Sequence, residues 1–242
     1  MARKNGLWFE FAGVSSTAKG LKLLALPDRP RAALRVPDEP PIPGRDGTLW
    51  LPEDAYDDIE ISVRAQLLST VTPASISAWL TGRGWLRFSD APTRAYKARA
   101  LAAYPYAHIG GCETRQTIEV TFTCHPCAYV YPIPSVALTN GRIITNPGTR
   151  YAEPVITIVG SGDITLAIGT QTLVITGLTG GSITLDMEAR VAFRELTDGS
   201  KVNLCPLVSG DWPLLIQPGS NAVSWTGAVS ALTLDAANWR YV

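Results

Sequence analysis

Apolar residues recur at every second position over long parts of this chain. The clearest run is 58–67, where Ile59, Ile61, Val63, Ala65 and Leu67 alternate with Asp58, Glu60, Ser62 and Arg64. That period predicts a strand with one face buried and the polar face turned to solvent or a partner. Residues 116–124 repeat it with Ile118, Val120 and Phe122. Shorter strands are expected at 6–11, 48–51, 84–88 and 95–101, beside an apolar patch at 21–26. One helix interrupts the series. Thr72 occupies its N-cap and Pro73 its first position, where a missing N–H costs nothing, and Gly82 stops it after Thr81. Ile76, Trp79 and Leu80 fall at i, i+3 and i+4 and give the helix one apolar face.

Beyond residue 130 the helical signals vanish. Strands are expected at 136–138, 141–145, 154–159, 164–168, 171–175, 181–185, 189–193, 214–216, 222–225 and 229–234. Short strands at regular spacing separated by turn residues predict a β-sandwich or jelly roll. The boundary is expected within 126–134, rich in proline and tyrosine, which divides the chain into residues 1–131 and 132–242. The fold class is mainly β: a β-rich N-terminal domain with one short helix, then a C-terminal sandwich.

Composition supports this reading. The 242 residues include 21 glycines and 18 prolines, which suits many tight turns. With 21 basic and 21 acidic residues, the whole surface is not tuned to nucleic acid, although a local basic stripe remains open. No run approaches the roughly 18 apolar residues of a membrane span, so no membrane insertion is expected. Arg3 and Lys4 are not followed by an apolar run, so no signal peptide is expected either. Between 27 and 47, Pro27, Pro30, Pro37, Pro40, Pro41 and Pro43 alternate with charges. They favour extended backbone, as an arm reaching a neighbouring subunit or a loop folded back on its own domain.

Candidate chemistry is sparse. Cys124-His125-Pro126-Cys127 has the spacing of half a zinc site, with Cys112 upstream, but the remaining cysteine, Cys205, lies across the domain boundary. Cys124 reads more simply as a small buried hydrophobe. The two histidines, His108 and His125, accompany no Gly-x-Ser-x-Gly elbow. Glu53, Asp54, Asp57 and Asp58 cluster at a strand entrance, as a solvated face or, with Asp54 or Asp58, as glycosidase carboxylates. Arg83, Arg87, Arg94, Lys97 and Arg99, offset by Asp90, form a candidate ring-facing or channel-facing basic surface. Trp212 and Trp225 are candidates to stack on a sugar or to serve as core or interface aromatics. No enzyme and no cofactor are expected.

Order and spacing of several short motifs carry a resemblance. The succession Gly44-Arg45-Asp46-Gly47, the strand 58–67, Ile76-Ser77-Ala78-Trp79-Leu80, Gly84-Trp85-Leu86-Arg87-Phe88 and Tyr96-Lys97-Ala98-Arg99 resembles the N-terminal domain of the siphophage distal tail (Dit) family. Asn146-Pro147-Gly148, the segment 153–160, Pro218-Gly219-Ser220-Asn221 and the final Trp239-Arg240 resemble its C-terminal domain. The resemblance implies a galectin-like, jelly-roll-like C-terminal sandwich. It also implies a homohexameric ring at the distal end of a long non-contractile virion tail. The N-terminal domains would form a belt around the DNA channel, with DNA only as passing cargo. The ring would meet the tail tube on one face and the tail-associated hub on the other, while the outer domains hold receptor-binding or baseplate proteins. The competing expectation is a carbohydrate-binding sandwich used in host adsorption.

Overall fold

In the computed structural model the described residues are 6–35, 43–44, 46, 55–68, 72–100, 106–109, 112–179 and 181–242. They form two compact units: residues 1–128 with Val242, and 129–241. Each has its own hydrophobic cluster. The expected strand at 48–51, the acids Glu53 and Asp54, and Pro37, Pro40 and Pro41 lie outside the described residues.

The first unit holds β1 (Phe9–Phe11), β2 (Val14–Ser15), β3 (Leu21–Leu23), β4 (Ile59–Leu67), α1 (Pro73–Trp79), β5 (Gly82–Phe88), β6 (Arg94–Ala100), β7 (Tyr106–Ile109) and most of β8 (Cys112–Val130). Its sheet runs in the order β2-β1-β5-β6-β8-β4-β3, with β7 also on β8. Alternation decides the faces. In β4 Ile59, Ile61, Val63, Ala65 and Leu67 are buried and Glu60, Ser62 and Arg64 exposed, and β4 pairs antiparallel with β8 from Ile59↔Cys124 to Gln66↔Thr117. On the apolar side Phe9, Phe11, Leu86, Phe88, Ile118, Val120 and Phe122 make the core. Burying each such side chain fully is worth about 1.5–3 kcal/mol.

The helix is two residues shorter than expected at its C-terminus. Thr72 stands in extended geometry, but its side chain caps nothing, and Leu80 closes the last turn through N–H···O=C to Ile76 at 2.8 Å. Seven residues are too few to hold a helix alone. Packing supplies the rest: Ile76 and Leu80 are buried, and Trp79 stacks on Phe9 at 5.6 Å while its Nε1 donates to the Phe11 carbonyl at 3.2 Å. Gly82, expected as a stop, has φ 78° and begins β5 directly.

β8 is longer than the 116–124 pattern, reaching 19 residues. Cys127, Ala128 and Tyr129 are all buried, so alternation disappears there and periodicity gives no strand signal.

The second unit contains β9 (Val136–Leu138), β10 (Ile143–Asn146), β11 (Val155–Ile168), β12 (Gln171–Leu178), β13 (Ser182–Asp186), β14 (Val191–Glu195), β15 (Lys201–Asn203), β16 (Val208–Gly210), β17 (Gly219–Ala236) and β18 (Arg240–Tyr241). Strands expected separately at 154–159 and 164–168 are the two halves of β11, and those at 222–225 and 229–234 are the halves of β17. β11 and β17 pair along both halves, with register shifts near Gly160, Ser161 and Thr165. Their halves enter different layers. One layer is β9, the end of β17, the start of β11, β13, β14 and β15; the other is β10, the start of β17, the end of β11, β12 and β16. Ile156, Ile158, Leu232 and Leu234 from the first layer share one cluster with Ile164, Leu166, Ile168 and Val223 from the second. The architecture is sandwich-like, made by strands that change layer at a bulge.

Two glycines permit this bend. A Cβ on Gly160 would lie 2.4 Å from the Ala228 carbonyl oxygen, and one on Gly227, at φ 101°, would lie 2.3 Å from that of Asp163. Each glycine therefore admits the backbone of the other long strand. The expected strand at 214–216 reduces to one bridge, Ala152↔Ile216, while β15 and β16, short and largely exposed, have no sequence expectation.

The turn motifs also have buried roles. Asn146 Nδ2 donates to the Arg150 and Ile216 carbonyls and its Oδ1 accepts from Gly148 N–H; Asn221 Nδ2 donates to the Gln217 and Gly219 carbonyls. Arg240 closes the unit: its Nε donates to the Tyr151 carbonyl at 2.7 Å and it pairs with Glu153 at 2.9 Å. Gly148 is required here, because a Cβ would fall 2.3 Å from the Arg240 carbonyl oxygen.

Gly227→Ala combines a positive φ with a backbone clash and should destabilise the second unit by about 2 kcal/mol or more; Gly160→Ala, which meets only the clash, should cost about 1–3 kcal/mol. Urea unfolding followed through Trp fluorescence checks both, and a parental midpoint for either variant would refute the shared-bend account.

Candidate functional site

The core side of the first sheet is closed by apolar packing, so its chemistry lies on the other face. Strand parity puts Arg83, Trp85 and Arg87 of β5 on that face, beside Lys97 and Arg99 of β6. Arg94 falls on the Tyr96 and Ala98 side of β6, so the five basic residues singled out above do not share one surface. Tyr96 packs against the core, and burial pushes its hydroxyl pKa up.

The cations on the outer face are not equivalent. Arg87 forks onto Glu10 through Nε–Oε1 at 2.8 Å and Nη2–Oε2 at 2.7 Å, with its guanidinium 5.6 Å from the Trp8 ring. Arg64 pairs with Glu119 across β4 and β8 at 3.0 Å. Arg83 and Arg99 instead stand directly opposite each other. Neither has an acidic partner among the described residues. Like charges in that register oppose folding by some tenths of a kcal/mol to about 1 kcal/mol.

These two arginines line a concavity of about 430 Å³ together with Asp58, Gly84, Trp85, Lys97, Ala98, Thr123 and His125. Lys97 lies 5.7 Å from the centre of the Trp85 ring. Gly84 lets the neighbouring turn approach, since a Cβ there would sit 2.8 Å from that of Ala12. The sequence pattern missed Trp85, Thr123 and His125 as members of one site. His125 becomes an outer-face residue only because β8 continues past Cys124; period-two alternation carried two residues further would have placed it beside Thr123.

The arrangement suits an anion and lacks a catalytic linkage. His125, Thr123 and Asp58 border one concavity, yet no hydrogen bond joins them, so no base is oriented toward a hydroxyl. Among the described residues no three His, Cys, Asp or Glu side chains gather as a metal-holding group. The three-residue offset of Cys124 and Cys127 along a strand turns their side chains to opposite faces, which explains why the spacing does not make a chelate. Both are buried and outside any disulfide, as is the half-buried Cys205 of the second unit; the side chains of His108 and Cys112 lie outside the described residues.

The described part of the 27–47 arm lies on its own unit: Arg35 N–H donates to Ala55 O, Ala33 O accepts from Asp57 N–H, and Arg29 pairs with Asp90 and covers Phe88 at 5.3 Å. Pro27 is half-buried, while Pro30 and Pro43 are exposed. In the second unit Trp212 and Trp225 are partly buried and packed against the core.

No protein-family model and no curated protein matches the chain. Among solved structures, the crystal structure of the Dit protein (gp 19.1) of SPP1 aligns with a TM-score of 0.69 over 94% of this chain and 97% of that one, at 16% identity. The chain has the fold of a Dit protein. SPP1 Dit is described as a paradigm of the hub adsorption apparatus in phages that infect Gram-positive bacteria. The Dit fold spans nearly the full length of both chains, so both units take part in the likeness.

Burial raises the Cys124 thiol to about 12, with Asp58 adding to the shift. Its folded-state pKa lies above its unfolded one, so the stability it contributes is complete below about 8.5 and is lost as pH rises toward 12. Denaturant unfolding repeated from neutral to alkaline pH should show a fall in stability that is smaller in Cys124→Ala than in the parent. Equal slopes would refute the assignment.

Proposed function

We propose that this protein is a distal tail adapter of a long-tailed bacteriophage, non-enzymatic and located at the distal end of the virion tail. The observation that supports this reading is the match to SPP1 Dit across almost the full length of both chains. In this reading six copies close into a ring between the tail tube and the tail-tip hub. The first unit is the belt around the DNA channel, and the second is a galectin-like peripheral domain that holds baseplate or receptor-binding proteins. Arg83, Lys97 and Arg99 then belong to a ring or channel surface. The part of the 27–47 arm up to Arg35 is held by its own unit and does not act as the intersubunit strap in this reading.

A sandwich alone implies no sugar site. The carbohydrate-binding alternative gains nothing from Trp212 and Trp225, whose rings pack on the core.

Mass photometry and negative-stain imaging of the purified chain, alone and mixed with the tail-tube and hub proteins of its phage, test the adapter. The expected particle is a closed ring with six times the 26.0 kDa chain mass. A chain that stays monomeric in every mixture and joins neither protein refutes it.

A further inference from the structure

We propose that the concavity lined by Arg83, Trp85, Lys97 and Arg99 receives a carboxylate-bearing segment of a partner protein. Elsewhere on the same sheet face Arg87 is paired with Glu10 and Arg64 with Glu119, while Lys22 stands opposite Gln66 at the β3 edge. Arg83 and Arg99 differ. They face each other in register with no acidic partner among the described residues, an arrangement that an incoming carboxylate relieves. Two guanidinium forks are suited to a carboxylate because each can offer paired N–H donors. Trp85, half-buried on the wall, supplies an apolar surface for the stem that carries the acid.

The geometry favours a protein segment over a nucleic-acid strand. A volume of about 430 Å³ accommodates a few side chains and not a duplex, whose diameter is roughly 20 Å judged from its groove dimensions. Asp58 borders the concavity, and Glu60 continues the same sheet face on β4. A phosphate backbone leaving the concavity in that direction meets these acids, whereas a segment with one or two carboxylates ends its charge inside. The inference stands on the concavity alone; in the adapter reading, the segment belongs to a neighbouring tail protein.

The test is calorimetric titration of the full chain with an end-capped hexapeptide carrying two adjacent glutamates among glycines and, separately, with an oligothymidylate. Saturable peptide binding is expected, weakening with added salt and falling at least about tenfold in the Arg83→Gln/Arg99→Gln double variant. Arg64→Gln, on the same face but outside the concavity, should bind as the parent does. Arg99→Gln should unfold at a temperature no lower than the parent because it removes a like-charge pair. Absence of saturable peptide binding, binding that survives the double substitution, or tighter binding of oligothymidylate overturns the proposal. A lowered unfolding temperature for Arg99→Gln does so too, since it would show that Arg99 already has a stabilising role in the free chain. Ring formation is read separately, so loss of this site and loss of the adapter function remain distinguishable.

Discussion

The pairing of β11 with β17 is the constraint on which the second unit depends. Two strands bonded along both halves must bend at the same level, or one would lose its ladder where the other turned. The register shifts near Gly160 and Thr165 absorb the extra residues, while Gly160 and Gly227 remove the side chains that would obstruct the crossing. Once the bend is fixed, the remaining strands add to edges already set. β13 can extend only the first half of β11, and β12 only the second. The two inner faces then meet across a single core, and the buried Asn146 and Asn221 satisfy carbonyls at the surrounding turns.

The first unit solves a different problem. One sheet face is covered by aromatic and aliphatic packing, with Trp79 joining the helix to Phe9 and to the Phe11 carbonyl. The other is polar and is stabilised pairwise across strands by Arg64 with Glu119, Ser62 with Thr121 and Arg87 with Glu10. The exposed Arg64–Glu119 pair holds register more than it adds stability, because exposed ion pairs are individually weak, whereas the partly buried, two-pronged Arg87–Glu10 pair ties β1 to β5 more firmly. The β5–β6 end lacks the same neutralisation at Arg83 and Arg99, and this local exception separates a candidate site from an ordinary solvated sheet.

Legibility in the sequence follows from burial geometry. β4 was readable because one face is buried and the other exposed, so Ile59 to Leu67 record the pleat directly. The end of β8 was not, because consecutive buried residues erase period two. The sequence pattern predicts two strands in place of each of β11 and β17: a bend containing glycine, Gly160-Ser161-Gly162 or Thr226-Gly227-Ala228, looks like a turn locally and becomes a bulge only through its partner. The Cys124–Cys127 spacing matches half a metal site, but strand geometry separates the thiols. Arg83, Lys97 and Arg99 were visible as a basic region, but the division of labour between them and Arg87 or Arg94 depends on cross-strand neighbours distant in sequence.

A neutral chain can therefore carry a strongly local charge preference. Its equal totals of acidic and basic residues conceal cations whose partners are within the sheet and others whose environment still favours an incoming anion. The distinction arises from register: moving β6 by one residue would turn Lys97 and Arg99 to the apolar side and bring Ala98 outward. The same backbone pairing that turns Tyr96 and Ala98 to the core thus assembles the basic concavity. Packing and recognition are opposite consequences of one strand alignment.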